Sequence, residues 1–287
     1  MIIKTSDINS IKSLFKKLTL PQPNSHKGQN GKILVIGGSS LFHSASLWAA
    51  EVASHFADMV HYSSTVENEK IFLSLKKKFH NGMVIPQNKL MDYVKEDDVI
   101  LVGPGMMREG EEGKYTYNLT KSLIEKFPDK KFVFDAGVLQ MIETVWLKDL
   151  KQKAIITPHQ KEFEKLFGIN ISIMTIKDKE KIVEAKAKEF KTVILLKAIV
   201  DIISDGKKTI VIEGGNAGLT KGGTGDVLAS LSASFYLNNN CFDSAVFASI
   251  LLKKTSEVLY KTKGYWYNVS DIIDKLPNVL MSLRGTK

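Results

Sequence analysis

The segment Thr220-Lys221-Gly222-Gly223-Thr224-Gly225-Asp226-Val227-Leu228-Ala229 joins a glycine-rich turn to an acid, and an apolar helical run follows at once. Small residues let backbone N–H groups converge on an anion, and a helix N-terminus adds a partial positive charge. A carboxylate is out of place in a loop that only holds phosphate, because it repels the ligand. It has a use if it takes a proton from a hydroxyl that attacks a phosphoryl group. Asp226 is therefore the candidate catalytic base. The N–H groups of Gly222, Gly223, Thr224 and Gly225 are the candidates for stabilising charge on the transferred group. The plainer alternative is a turn followed by a helix cap.

Such a loop needs elements to hold it against a substrate. Short apolar runs alternate with longer amphipathic ones along the chain. Lys32 to Ile36 is β-rich and ends in Gly37-Gly38-Ser39-Ser40, and a helical stretch runs from about Ser44 to Phe56. Met59 to Ser63 and Val99 to Val102 read as strands, the second closed by Gly103-Pro104-Gly105. Phe132-Val133-Phe134 ends in Asp135, Ala154-Ile155-Ile156 in Thr157-Pro158-His159, and Thr192 to Leu196 in Lys197. Val200 to Ser204 and Thr209 to Glu213 flank Asp205-Gly206 and read as a hairpin. From Asp226 onward the chain reads as mostly helical. Strand, loop and helix repeated this way predict an α/β fold whose central, mostly parallel sheet is covered on both faces. Ligands bind beyond the carboxyl ends of such strands, so the loop residues named above are expected along one edge. No linker or repeat divides the chain, and a single domain over 1–287 is expected.

Composition fits an ordinary globular enzyme, with 44% hydrophobic and 25% charged residues among 287. No apolar run is long enough to span a bilayer, and the N-terminal residues lack the pattern of a signal peptide. The single cysteine, Cys241, precludes an intrachain disulfide and fits a reducing cytoplasm. The net charge of +9 raises the question of nucleic acid. However, the lysines, such as Lys76-Lys77-Lys78 and those from Lys177 to Lys191, sit in helical stretches without a basic-aromatic motif. A solvated surface is the favoured reading, with neither a nucleic-acid nor a membrane partner.

One ordered set of motifs remains. It runs His26-Lys27-Gly28-x-x-Gly31, Val35-Ile36-Gly37-Gly38-Ser39, Gly103-Pro104-Gly105, Asp135-Ala136, Thr157-Pro158-His159-x-x-Glu162, Leu196-Lys197, and Asn216-x-Gly218-Leu219-x-x-Gly222-Gly223-Thr224-Gly225-Asp226-Val227-Leu228. The set resembles the NAD(P)H-hydrate dehydratase family of the ribokinase-like superfamily, over nearly the whole chain. The resemblance implies a ribokinase-like three-layer α/β/α sandwich. It also implies a reaction in which ADP, or ATP in some members, phosphorylates the ring hydroxyl of hydrated NADH or NADPH. Loss of phosphate then restores the reduced cofactor. Mg²⁺ is implied with the nucleotide, although no residue identifies its ligands. Some relatives carry an N-terminal epimerase domain, and the two dozen or so residues before the first motif here are expected to be too few for one. The family often forms homo-oligomers, but no interface can be read from this chain.

The resemblance also assigns roles. Asp226, His159, Gly105 and Ala45 fall at substrate positions. Lys197, Ala198, Ile199, Val200 and Asp201, together with Asn216 and the glycine-rich loop Gly222-Gly223-Thr224-Gly225, fall at nucleotide positions. Each has a plainer reading beside it: His159 starts a helix after a cis-capable Thr-Pro bond, Glu162 is a first-turn acid, Lys197 is solvated, Asp135 caps a helix, Ala45 packs and Asn216 makes a turn. Several positions depart from the family pattern. His43 precedes the small pair Ser44-Ala45, Met107 replaces a glycine, Lys221 replaces a small residue, and Lys197-Ala198-Ile199-Val200-Asp201 replaces Lys-Gly-x-x-Thr. Asp201 is expected to place an anion, and Lys221 a cation, near the nucleotide. Two rival readings stand beside the dehydratase. One is a small-molecule kinase of the same superfamily, and the other is a nucleotide-binding protein without catalysis.

Overall fold

The computed structural model describes residues 1–285 except Lys78. Lys78, the last of the three clustered lysines, and the final two positions of the expected domain, Thr286 and Lys287, lie outside the described residues. In chain order the elements are β1 (Ile2–Lys4), α1 (Ile8–Phe15), β2 (Lys32–Ile36), α2 (Ser44–Ala53), β3 (Met59–Ser63), α3 (Val66–Leu75), β4 (Met83–Val84), α4 (Leu90–Glu96), β5 (Val99–Val102) and α5 (Gly110–Lys126). They continue with β6 (Lys131–Phe134), β7 (Ile155–Ile156), α6 (Gln160–Phe167), α7 (Ile176–Glu189), β8 (Val193–Leu196), β9 (Asp201–Ser204), β10 (Thr209–Glu213), α8 (Thr224–Tyr236), α9 (Cys241–Lys263) and α10 (Val269–Arg284).

The strands form one ten-stranded sheet in the order β1-β10-β9-β8-β7-β6-β5-β2-β3-β4. All pairings are parallel except those of β9 with β8 and β10, so the expected β9–β10 hairpin is present and β9 runs antiparallel to both of its neighbours. The central strands are buried on both faces, as the unbroken apolar run Val99-Ile100-Leu101-Val102 requires. Alternate side chains divide between two cores. Ile33, Val35, Leu101 and Val133 pack with α1, α2, α8, α9 and α10, while Leu34, Ile36, Ile100 and Phe134 pack with α4, α5, α6 and α7. The result is helix, sheet and helix in three layers, as expected.

Position along the strands then separates structural motifs from chemical ones. His26-Lys27-Gly28 precedes β2 and lies at the amino edge of the parallel strands. There the Gly28 and Asn30 N–H groups donate to Asp58 Oδ2 at 2.8 and 3.0 Å, which makes this motif a loop anchor. Gly37, Gly103, Asp135, Thr157 and Lys197 follow β2, β5, β6, β7 and β8 and share the carboxyl edge.

α8 delivers its N-terminus to that edge because its body is small and apolar. Ser230 is fully buried and donates to the Ala49 carbonyl of α2 at 2.6 Å. Gly223 caps the helix at φ +99°, the left-handed region that glycine enters without a Cβ penalty. A Cβ there would stand 2.5 Å from the Trp48 ring and 2.9 Å from Val269, whereas one on Gly222 would meet open space. Gly223→Ala should therefore lower stability by about 1–3 kcal/mol. Gly222→Ala should stay within about 0.5 kcal/mol of the parent. Urea unfolding of both variants checks the pair, and equal losses would contradict the assignment of strain to Gly223.

Candidate active site

The site is built from the ends of β6, β7 and β8 and the start of α8. Asp135 follows β6 and is 1% exposed. Its Oδ1 accepts from Thr157 Oγ1 at 2.6 Å and from Lys197 Nζ at 2.6 Å. Lys197 follows β8, and its backbone N–H donates to the Pro158 carbonyl at 2.9 Å. That bond and the parallel bridge between His159 and Lys197 extend the β7–β8 pairing into the loops. The ammonium also lies 3.9 Å from Glu162 Oε2. A Cβ on Gly225 would come within 3.2 Å of Nζ, so a glycine at this position lets the lysine tuck against the first turn of α8.

His159 is the N-cap of α6. Its Nδ1 accepts the N–H groups of Lys161 and Glu162 at 3.1 Å each, and the Glu162 carboxylate closes the capping box by accepting from the His159 N–H at 2.9 Å. Because Nδ1 is an acceptor, the ring proton sits on Nε2, 3.4 Å from Glu162 Oε1. Burial, and then the Lys197 charge, hold this imidazole below its usual pKa and hence neutral. The residue is both the helix-start histidine and a donor facing the site. The Thr157–Pro158 bond is trans.

Three carboxylates, those of Asp135, Glu162 and Asp226, surround the Lys197 ammonium. Burial alone would depress the lysine, but the three negative charges hold it above its ordinary value. The acids are in surplus, and two of them show it. Burial, reinforced by the charge of Asp135 and opposed by Lys197, raises Asp226 to about 7. Burial also raises Glu162 to about 7, with Lys197 opposing and Asp135 reinforcing. Asp226 stands in the first turn of α8, beside the N–H groups of Gly222, Gly223 and Gly225, which have no partner among the described residues. A proton acceptor poised near neutrality thus sits next to free anion-binding donors.

Asp135, His159, Lys197, Asp226 and the glycines of the turn line one cavity of about 780 Å³, together with Ala198, Ile199, Asp201 and Asn216, while Glu162 is buried behind its wall. Thr224 lines it too, but its hydroxyl points into the turn, donating to the Leu219 and Lys221 carbonyls. Other expectations need correction. Val200 does not line the cavity and packs against the core instead. Asp201 presents no free anion: it is 4% exposed, accepts from Ser249 Oγ at 2.6 Å and pairs with Lys253 at 3.4 Å. Lys221 does line the cavity as a cation, with one of its three ammonium donors given to the Tyr265 carbonyl at 2.6 Å. Asn216 is a turn-maker, accepting from the Gly218 N–H and the Tyr267 hydroxyl and donating to the Ser256 carbonyl. Ala45 and Gly105 lie outside this cavity and pack together under Phe42.

Sequence reasoning missed the partners that hold the site: Thr157 on Asp135, Glu162 on Lys197, and Lys253 under Asp201. A signal existed for the last, since a lysine within the apolar run Ile250-Leu251-Leu252 needs a buried acid. No helix among the described residues is long and apolar enough to cross a membrane.

The raised carboxyl has a consequence for stability. A folded-state pKa near 7 exceeds the unfolded value of about 3.9, so the native state binds a proton that the unfolded chain releases. Stability from Asp226 is full below the unfolded pKa and falls as pH rises through about 7. Asp226→Asn removes this loss. The variant should unfold at higher denaturant than the wild type at pH 8, with the gap shrinking toward pH 5. A gap independent of pH would contradict the raised pKa.

Residues 33–278 match the family described as NAD(P)H-hydrate dehydratase. An ADP-dependent (S)-NAD(P)H-hydrate dehydratase from Nitrosopumilus maritimus is 31% identical over 269 residues, covering 89% of this chain and 90% of the relative. A bifunctional NAD(P)H-hydrate repair enzyme from Methanocaldococcus jannaschii is 33% identical over 273 residues, which are 92% of this chain and 51% of the relative. The chain spans about half the length of the bifunctional relatives it matches. The structure of an ADP/ATP-dependent NAD(P)H-hydrate dehydratase from Bacillus subtilis, co-crystallised with ATP and Mg²⁺, aligns at TM-score 0.77 and 20% identity over 95% of this chain and 97% of that one. At that identity the likeness establishes the fold, which is ribokinase-like. With the family match extending over most of its length and a relative of equal span above 30% identity, the chain belongs to the NAD(P)H-hydrate dehydratase family.

Proposed function

We propose that this protein is an ADP-dependent (S)-NAD(P)H-hydrate dehydratase that works as one domain in the cytoplasm. The observation that carries the reading is the placement of Asp226 beside the free N–H groups of the α8 turn, in the same cavity as Lys197 and His159. The named activity of the Nitrosopumilus relative supports it.

Hydroxide is a poor leaving group and phosphate a good one, so the protein has to align a ring hydroxyl with the terminal phosphate of a nucleotide. Asp226 takes the hydroxyl proton as the oxygen bonds to the terminal phosphorus, and the bond to the leaving phosphate oxygen breaks. The N–H groups of Gly222, Gly223 and Gly225 stabilise charge on the transferred group, and Lys197 adds positive charge below them. Departure of phosphate with the C–O electron pair, and loss of a proton from the adjacent ring carbon, then restore the double bond. His159 Nε2–H is placed to donate to phosphate or hydroxyl oxygen. The adenine nucleotide extends toward Ala198, Ile199 and Gly215 at the far end of the cavity, where Ile199 is 92% exposed.

Mg²⁺ suits this donor set. Carboxylate oxygens in excess over a single ammonium are hard-cation chemistry, and Mg²⁺ needs only one or two of them beside phosphate and water. Asp135, on the cavity wall, is the residue that would hold it, and when bound it would neutralise phosphate charge.

Recovery of reduced-nicotinamide absorbance from hydrated cofactor, with ADP or ATP and Mg²⁺, tests the reading. Wild type should restore absorbance, and Asp226→Asn should be about 10²–10⁴-fold slower. Accumulation of a stable phosphoester would point to a kinase instead. The pH profile is a further check. A base must be deprotonated, so kcat/KM should rise as pH increases through about 7 and level off above it. A profile already flat from pH 5 upward would contradict Asp226 as the base.

A further inference from the structure

A second cavity, of about 210 Å³, opens on the same edge of the sheet, over the ends of β2 and β3. Its wall comprises Gly37-Gly38-Ser39, Ser63-Ser64-Thr65, Gln87, Met106, Met107 and one face of α5 with Glu112, Tyr115 and Thr116. None of these residues has a role in the chemistry described above. Yet the cavity adjoins it: Met106 of its wall packs on Gly137, two residues past Asp135, closely enough that a Cβ there would clash with the Met106 carbonyl. Adjacent strands lie roughly 4.8 Å apart, so the step from Asp135 after β6, across β5, to the ends of β2 and β3 spans roughly 10–14 Å. A dinucleotide whose nicotinamide ring rests against Asp226 has that reach.

The chemistry of the wall is that of a sugar site. Hydroxyl groups, a side-chain amide and a carboxylate line a small space with Met106 and Met107; Ser64, Thr116 and the Gln87 amide donate to backbone carbonyls of the wall, which leaves Ser39, Ser63, Tyr115 and Glu112 as its less committed polar groups. Among the described residues the wall carries no Lys, Arg or His, and its only carboxylate is Glu112. Glu112 accepts from the Ser40 N–H at 2.9 Å and from Ser40 Oγ at 2.7 Å, and each oxygen keeps a second lone pair. A second acid stands close behind. Glu69 Oε1 is buried without a hydrogen-bond partner, and after burial itself the charge of Glu69 is what raises the Tyr115 phenol. Two acids and no cation suit a vicinal diol and oppose a phosphate.

We propose that this cavity receives the ribose at the adenosine end of the hydrated dinucleotide, and that Glu112 makes the site prefer a free 2′-hydroxyl over a 2′-phosphate. Hydrated NADH is then the better substrate and hydrated NADPH the poorer one. The inference rests on the dehydratase reading for its choice of ligand.

Equilibrium binding of NADH and NADPH, followed by reduced-nicotinamide fluorescence, tests it without depending on turnover. Wild type should bind NADH at least about tenfold more tightly than NADPH, since one like-charge contact at a partly solvated site is worth that much. Glu112→Gln should narrow the ratio, by improving NADPH binding, weakening NADH binding, or both. Equal binding of the two cofactors by wild type, or no detectable binding of either, would overturn the proposal. So would an unchanged ratio in the variant. Equal weakening of both ligands would show that Glu112 only anchors the Ser40 loop, and would overturn it as well. Recovery assays on both hydrates, run in parallel, report on the dehydratase reading separately. Failure of both hydrates to recover would sink that reading, while the binding ratio would still decide whether the cavity discriminates against the 2′-phosphate.

Discussion

The contact between Lys197 and Asp135 is the one on which the rest of the site depends. A single ammonium, 2.6 Å from one buried carboxylate and within reach of a second, holds together the ends of three adjacent strands. Removing either partner would leave the other as an uncompensated buried charge, a costly state in any protein interior. The pair also governs the third acid. Asp226 is pushed toward protonation by burial and by Asp135, and Lys197 pulls it back toward ionisation. A base useful near neutral pH emerges from that balance. No special property of the aspartate itself is required.

The fold contributes this arrangement through sheet order. β6, β7 and β8 are neighbours in a parallel stretch, so residues one or two positions past each strand emerge side by side. The bridge of His159 to Lys197 prolongs the ladder just far enough to fix both loops. α8 then approaches from the opposite layer with its N-terminus foremost. It can come close because residues 223 and 225 are glycines, facing Trp48 and the Lys197 ammonium respectively. Flexibility at Gly222 is not needed for this, since nothing crowds it.

Much of this was legible before the structure. The alternation of apolar runs with amphipathic ones foretold the sheet, and the residues that close those runs foretold the edge on which Asp135, Thr157 and Lys197 meet. The glycine-rich turn before Asp226 carried its own chemical argument. What could not be read were pairings between side chains distant in sequence. Asp201 seemed an anion aimed at a nucleotide, but Lys253 on α9 neutralises it. Lys221 does reach the cavity, but its tether to the distant Tyr265 carbonyl was not readable. β1 and β4, of three and two residues, are too short for a period-two pattern to appear, and they exist because neighbouring strands offer open edges. Of the second cavity only Gly37-Gly38-Ser39 and Met107 stood out in the sequence, because its wall is assembled from four separate loops and a helix face.

The measurement closest to the central claim is a carboxyl titration of Asp226 itself. The protonated-acid C=O band in infrared difference spectra can be assigned by its absence in Asp226→Asn and followed from pH 4 to 9 in wild type and in Lys197→Met. Charge sharing with Lys197 predicts a midpoint near 7 in wild type, displaced upward when the ammonium is lost. A midpoint in the ordinary range of about 4, or one that Lys197→Met leaves unmoved, would contradict the account.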